Sequence, residues 1–137
     1  MGKIIVSLGI FVLILAVIPV YAQSTLALQA KCAEGAKKLM EGEDFTTQYT
    51  SHYNKKLDKC FIHVRQHSSP WKDDKGVWYR FLLNTLSDVF GGNAVGECVF
   101  TLINGRINEK PDDCYVGNTK CKTIDEFENL IHPYMED

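Results

Sequence analysis

Cys32, Cys60, Cys98, Cys114 and Cys121 restrict this chain more than any other set of its residues, because of what precedes them. Lys3 supplies a short basic start, and Ile4 to Ile18 form an uncharged run rich in Ile, Val and Leu. Pro19 breaks the run, and Val20-Tyr21-Ala22 leaves small or modest side chains just before a cut at Gln23. These are the three parts of a secretory signal peptide. The run is also just long enough to span a bilayer uncleaved, and membrane contact is expected only in that case. The expected organisation is a signal peptide over 1–22 and one domain over 23–137, secreted or periplasmic.

Export to an oxidising space makes disulfides the default fate of the thiols. Five is an odd number, so one sulfur is left over. A tight turn at Gly117-Asn118 sets Cys114 opposite Cys121, and directly opposed strand residues lie about 4.5–5.5 Å apart at Cα, inside the disulfide window. Cys32 falls on the apolar stripe of a first helix, and Cys60 shares a strand face with Ile62 and Val64. Those two form the expected second pair. Cys98 remains, either as a buried free thiol or as the link of a covalent dimer. A nucleophilic role is disfavoured, because Glu97 beside it raises the thiol pKa.

Local patterns divide the domain into helix, strands and helix. Leu28, Cys32, Ala36 and Met40, joined by Leu39, give one apolar side to a helix over 24–41, capped by Ser24 and stopped by Gly42. Strands are expected over 46–53, 59–65, 77–86 and 94–103, with a polar loop over 66–76. Asn104-Gly105 is a strong hairpin signal. Thr123-x-x-Glu126 is a capping box leading a last helix, whose stripe is Ile124, Phe127, Leu130, Ile131 and Tyr134. Pro133 is expected to kink or end that helix near 130–132. The sum is an α+β domain: an N-terminal and a C-terminal helix packed on one face of an antiparallel β-sheet, stapled by disulfides.

Chemistry is harder to find. The chain is 45% hydrophobic and 23% charged with a formal net charge of −2, which disfavours a polybasic nucleic-acid binder. Basic residues gather in 31–80 and acidic ones in 81–137, a division that favours attraction within the fold. Cys60-x2-His63-x3-His67, with His52, mimics metal-ligand spacing, yet His63 lies on the opposite strand face from Cys60. Neither a G-x-S-x-G elbow nor a phosphate-binding Gly loop occurs. Asp73-Asp74, Asp112-Asp113 and the acids at 125–128 read as loop solvation and helix-start charge. No catalytic residue, metal ligand or cofactor is therefore assigned; a metal-dependent or carboxylate hydrolase of the cell envelope is the alternative reading.

Aromatic residues concentrate between Tyr49 and Phe81, beside Lys55, Lys56, Lys59, Lys72 and Lys75. Rings interleaved with cations suit a protein or glycan partner through stacking and cation–π contact. Trp71, after Pro70 in the polar loop, and its neighbour Lys72 are the expected partner contacts. The segment Tyr49-x-Ser51-His52-Tyr53-Asn54-x-Lys56-Leu57-x-Lys59-Cys60-Phe61 resembles one in a group of small uncharacterised exported bacterial proteins. Cys32-Ala33-x-x-Ala36-Lys37-Lys38 and Cys121-x-Thr123-x-x-Glu126-Phe127 are similar to that group as well. The resemblance implies a bacterial periplasmic or secreted address and no activity, and Cys98 departs from its pattern. The functional expectation is a small non-enzymatic binding module.

Overall fold

The computed structural model describes residues 24–43, 47–108 and 110–137. The expected signal peptide lies outside the described residues. Helix α1 spans 24–39. Eight strands follow among the described residues: β1 (Gln48–Asn54), β2 (Lys59–His67), β3 (Trp71–Lys72), β4 (Trp78–Asp88), β5 (Ala94–Ile103), β6 (Arg106–Ile107), β7 (Asp113–Val116) and β8 (Thr119–Lys120). Helix α2 (Ile124–Met135) closes the chain. The α+β class holds: two helices pack on one antiparallel sheet of order β1-β2-β4-β5-β7-β8. Strand β3 adds to β4 along the line of β2, and β6 adds to β5 along the line of β7.

Turn chemistry explains the meander. Asn104 and Gly105 both take positive φ, 50° and 79°, the two left-handed residues a type I′ hairpin needs. At Gly117-Asn118 only Gly117 has positive φ, as in a type II′ turn. Val116 then pairs with Thr119 and Tyr115 with Lys120, and the Cys121 N–H donates to the Cys114 carbonyl at 3.0 Å.

The helices lie on opposite faces of the sheet, not on one. Alternation along β2 decides this, because odd and even residues point apart. Cys60 and Ile62 pack with Cys32, Ala36 and Val89 beneath α1. Phe61 packs with Leu82, Leu86, Cys98, Phe100, Cys114, Val116, Phe127 and Ile131 beneath α2. A strand apolar on both sides needs a cover on both sides, and Cys60-Phe61-Ile62 is such a run. The α1 layer is thin. Leu28 and Leu39 are exposed rather than buried, so the first helix seats only Cys32, Ala36 and part of Met40. Gly35 lets it sit close, since a Cβ there would fall 2.8 Å from a methyl of Val89 and 2.9 Å from the Phe90 ring.

Helix α2 runs through Pro133 to Met135 rather than ending before it. Its start is the expected capping box. The Glu126 N–H donates to Thr123 Oγ1 at 3.1 Å, and the Glu126 carboxylate accepts from the Lys122 N–H at 2.7 Å. Its far end is held from outside. Nδ2 of the buried Asn54 donates to the carbonyls of Pro133, Tyr134 and Glu136 at 2.9, 3.3 and 2.9 Å. The last turn of a helix has carbonyls with no partner of its own, and here β1 supplies the donor.

Candidate functional site

The polar loop expected over 66–76 contains β3, and that short strand organises the surface around it. Trp71 lies opposite Tyr79 and Lys72 opposite Trp78. Adjacent strand residues face apart, so the two expected contact residues end on different sides of the sheet. Trp71 joins a ladder on the α1 side. Its ring stacks on Tyr79 at 5.6 Å and 19° and meets Phe81 at 4.9 Å. Trp71 is 40% exposed and Phe81 is 41%, so the ladder fills no core.

Lys72 belongs to the other side. Its Nζ stands 5.6 Å from the centroid of Trp78, a cation–π arrangement. Trp78, Arg80, Leu102, Pro70, Tyr79 and Gly105 line a cleft of about 470 Å³ at this end of the sheet. Trp78 is 47% exposed. Nε of Arg80 is buried and, among the described residues, has no hydrogen-bond partner. A guanidinium retains its charge under any physiological condition and offers a fork of donors matched to carboxylate or phosphate. Arg80 is not among the partner contacts expected from the sequence. The signal was Trp78-x-Arg80, whose spacing of two puts both side chains on one strand face.

The Tyr79 hydroxyl donates to Asp73 at 3.2 Å, and burial together with this acceptor holds its pKa above the ordinary phenol value. Asp73 also accepts the N–H groups of Lys75 and Val77 at 3.0 and 2.8 Å. The loop joining β3 to β4 is thereby closed on itself, which fixes Trp71 and Trp78 relative to each other.

The histidines do not gather with Cys60. Cys60 is bonded to Cys32 on the α1 side, whereas His63 sits on the α2 side against Phe127, ring centroids 6.1 Å apart. Burial lowers the His63 pKa, Glu128 raises it and Arg65 lowers it, with a net downward shift. His63 lines a second cavity of about 350 Å³ with Gln48, Tyr49, Thr50, Arg65 and Glu128. The charges there satisfy each other: Arg65 pairs with Glu128 at 2.7 Å and donates to Asn84 Oδ1 at 3.1 Å. His52 lies 3.4 Å from Asp137, which also pairs with Lys55 at 2.7 Å.

Cys98 is set directly opposite Cys114 in the β5–β7 register, so it does not stand apart from the other sulfurs. It is 0% exposed, and a link to a second chain through it is not presented at the surface. The reason is nonlocal: β6 and the residues after it return the chain to β5, bringing Cys114 between Cys98 and Cys121. Among the described residues, these three cysteines form the one group of three or more metal-type ligand atoms close together.

No family model, curated protein or solved structure matches the chain.

Proposed function

We propose that this protein is an exported, non-enzymatic binding module whose ligand seats in the Trp78–Arg80 cleft. The ligand carries a flat apolar face and an anionic group. Arg80 supports this reading most directly, because a buried Nε with no partner among the described residues is costly unless something else completes it. A carboxylate entering the cleft would accept from it while the apolar face rests on Trp78. Lys72 adds a second cation above that ring. The Trp71–Tyr79–Phe81 ladder extends the contact surface around the strand end. Export is supported by the disulfide between Cys32 and Cys60 and by the three-part leader at 1–22.

Acidic glycans and protein segments combining an aromatic residue with Asp or Glu both present this chemistry. Arrays of uronic-acid oligosaccharides and of acidic, aromatic peptides, probed with the purified protein, separate the two. Binding to either set should fall at least tenfold in both Trp78→Ala and Arg80→Ala, with circular dichroism unchanged. Lys72→Ala should cause a smaller loss that disappears at high salt. Equal binding by wild type and both cleft variants would remove the cleft from the reading.

A further inference from the structure

Divalent sulfur forms one disulfide, yet Cys98, Cys114 and Cys121 bring three sulfurs within 4.8 Å of one another. The three sit on successive strand positions: Cys98 on β5, Cys114 on β7, and Cys121 just after β8. Cys98 and Cys121 therefore approach Cys114 from opposite flanks of β7. Gly96 is what lets β5 and β7 come this close. A Cβ there would fall 2.9 Å from the Tyr115 carbonyl oxygen, which is backbone and cannot yield.

The two outer sulfurs differ in access. Cys98 is sealed in the core beneath α2. Cys121 belongs to the same cluster and is only 6% exposed, but it borders a surface cavity of about 520 Å³ with Lys110, Pro111, Lys122 and Thr123. We infer that Cys98, Cys114 and Cys121 form a thiol–disulfide exchange site, with one disulfide that moves between Cys98–Cys114 and Cys114–Cys121. The thiolate of Cys121 attacks the Cys114 sulfur. The new Cys114–Cys121 bond forms, the Cys98–Cys114 bond breaks, and Cys98 leaves as thiolate and takes up the proton that Cys121 gave to solvent. No electrons enter or leave, so no outside oxidant is needed. The exchange carries the free thiol from the cavity's inner edge to a position sealed off from it.

While the thiol stands at Cys121, the cavity admits a small disulfide. The Cys121 thiolate displaces one half of it, becomes a mixed disulfide and releases the other half as thiol. The lysines at the mouth suit a partner bearing carboxylates, so oxidised glutathione is the probe.

Acid quenching of the full chain, followed by unfolding, alkylation and peptide mapping without reductant, reads the populations. Both disulfides should be found, with alkylated thiol divided between Cys98 and Cys121. Prolonged incubation of native protein with oxidised glutathione should place one adduct on Cys121 and deplete the Cys114–Cys121 peptide by at least tenfold. Cys98→Ala retains the Cys114–Cys121 staple and should form no adduct. Cys121→Ala retains Cys98–Cys114 and should also form none. A single disulfide with its thiol at one position only, an adduct on Cys121 in Cys98→Ala, or three alkylated sulfurs accompanied by bound zinc or copper would each overturn the proposal.

Discussion

Replacing Asn54 with Ala tests whether β1 fixes the end of α2. Asn54 is wholly buried at the last position of its strand. Its Nδ2 has two hydrogens shared among the carbonyls of Pro133, Tyr134 and Glu136, and its Oδ1 accepts the Leu57 N–H at 3.0 Å. Ala removes about three hydrogen bonds, each contributing about 1 kcal/mol, and opens a small void, so the expected loss is about 3 kcal/mol. For a domain of this size the melting temperature should fall by about 10–15 °C. Urea unfolding followed by circular dichroism measures it, with an unchanged m-value showing that only stability moved. Asn54→Asp sharpens the test. A carboxylate still accepts from Leu57, but it faces three carbonyl oxygens at the negative end of the helix dipole. At pH 7 it should cost more than Ala, and the difference should shrink as acid protonates it. A loss below about 1 kcal/mol in Asn54→Ala would mean that water serves the carbonyls equally well, and the reasoning would fail.

Three further outcomes are expected. Cys32→Ala opens a disulfide with a sequence separation of 28, which should cost about 3–4 kcal/mol in the loop-entropy model; the first amides to lose hydrogen-exchange protection should be those of 24–39. Burial pushes the Asp88 carboxyl up, but the N–H groups of Gly91 and Phe90 and the Lys59 ammonium outweigh it and hold its pKa below the usual range. The stability it contributes is present above about pH 4 and lost as pH falls through the lower folded value. Asp88→Ala should thus cost about 2 kcal/mol at pH 7, and by chemical denaturation the cost should shrink as the pH is taken progressively below about 4. His63 shifts in the same direction for a different reason. Burial disfavours its charged form in the fold while the unfolded chain takes a proton at about pH 6.5, so wild-type stability should decline as pH drops below that value. His63→Phe should flatten that part of the profile; an unchanged slope would show that His63 charges freely in place.

Much of the fold was legible locally. The hairpins at Asn104-Gly105 and Gly117-Asn118 follow from residues that tolerate positive φ, and the start of α2 follows from Thr123 and Glu126, whose partners lie within four residues. Where local rules misled, a distant partner intervened. Pro133 removes one N–H from α2, yet the helix persists because Asn54, far away in sequence, supplies donors to its last turn. The loop after β2 contains β3 because Tyr79 and Trp78 offer it a strand edge. At the candidate site, the aromatic and cationic composition was visible, but not that Trp71 and Lys72 face apart or that the buried Nε of Arg80 has no hydrogen-bond partner among the described residues.

Local pattern alone places the two helices, the longer strands and their turns, and the sulfur staple between the first helix and the sheet. Those choices depend on backbone preferences and on alternation within a few residues. Long-range packing puts the helices on opposite faces, brings the Arg80 side chain to a cleft, and sets Cys98 against Cys114. Each of those depends on which strands become neighbours, and strand order is set by the burial of apolar surface over the whole sheet, not by any one segment's preference.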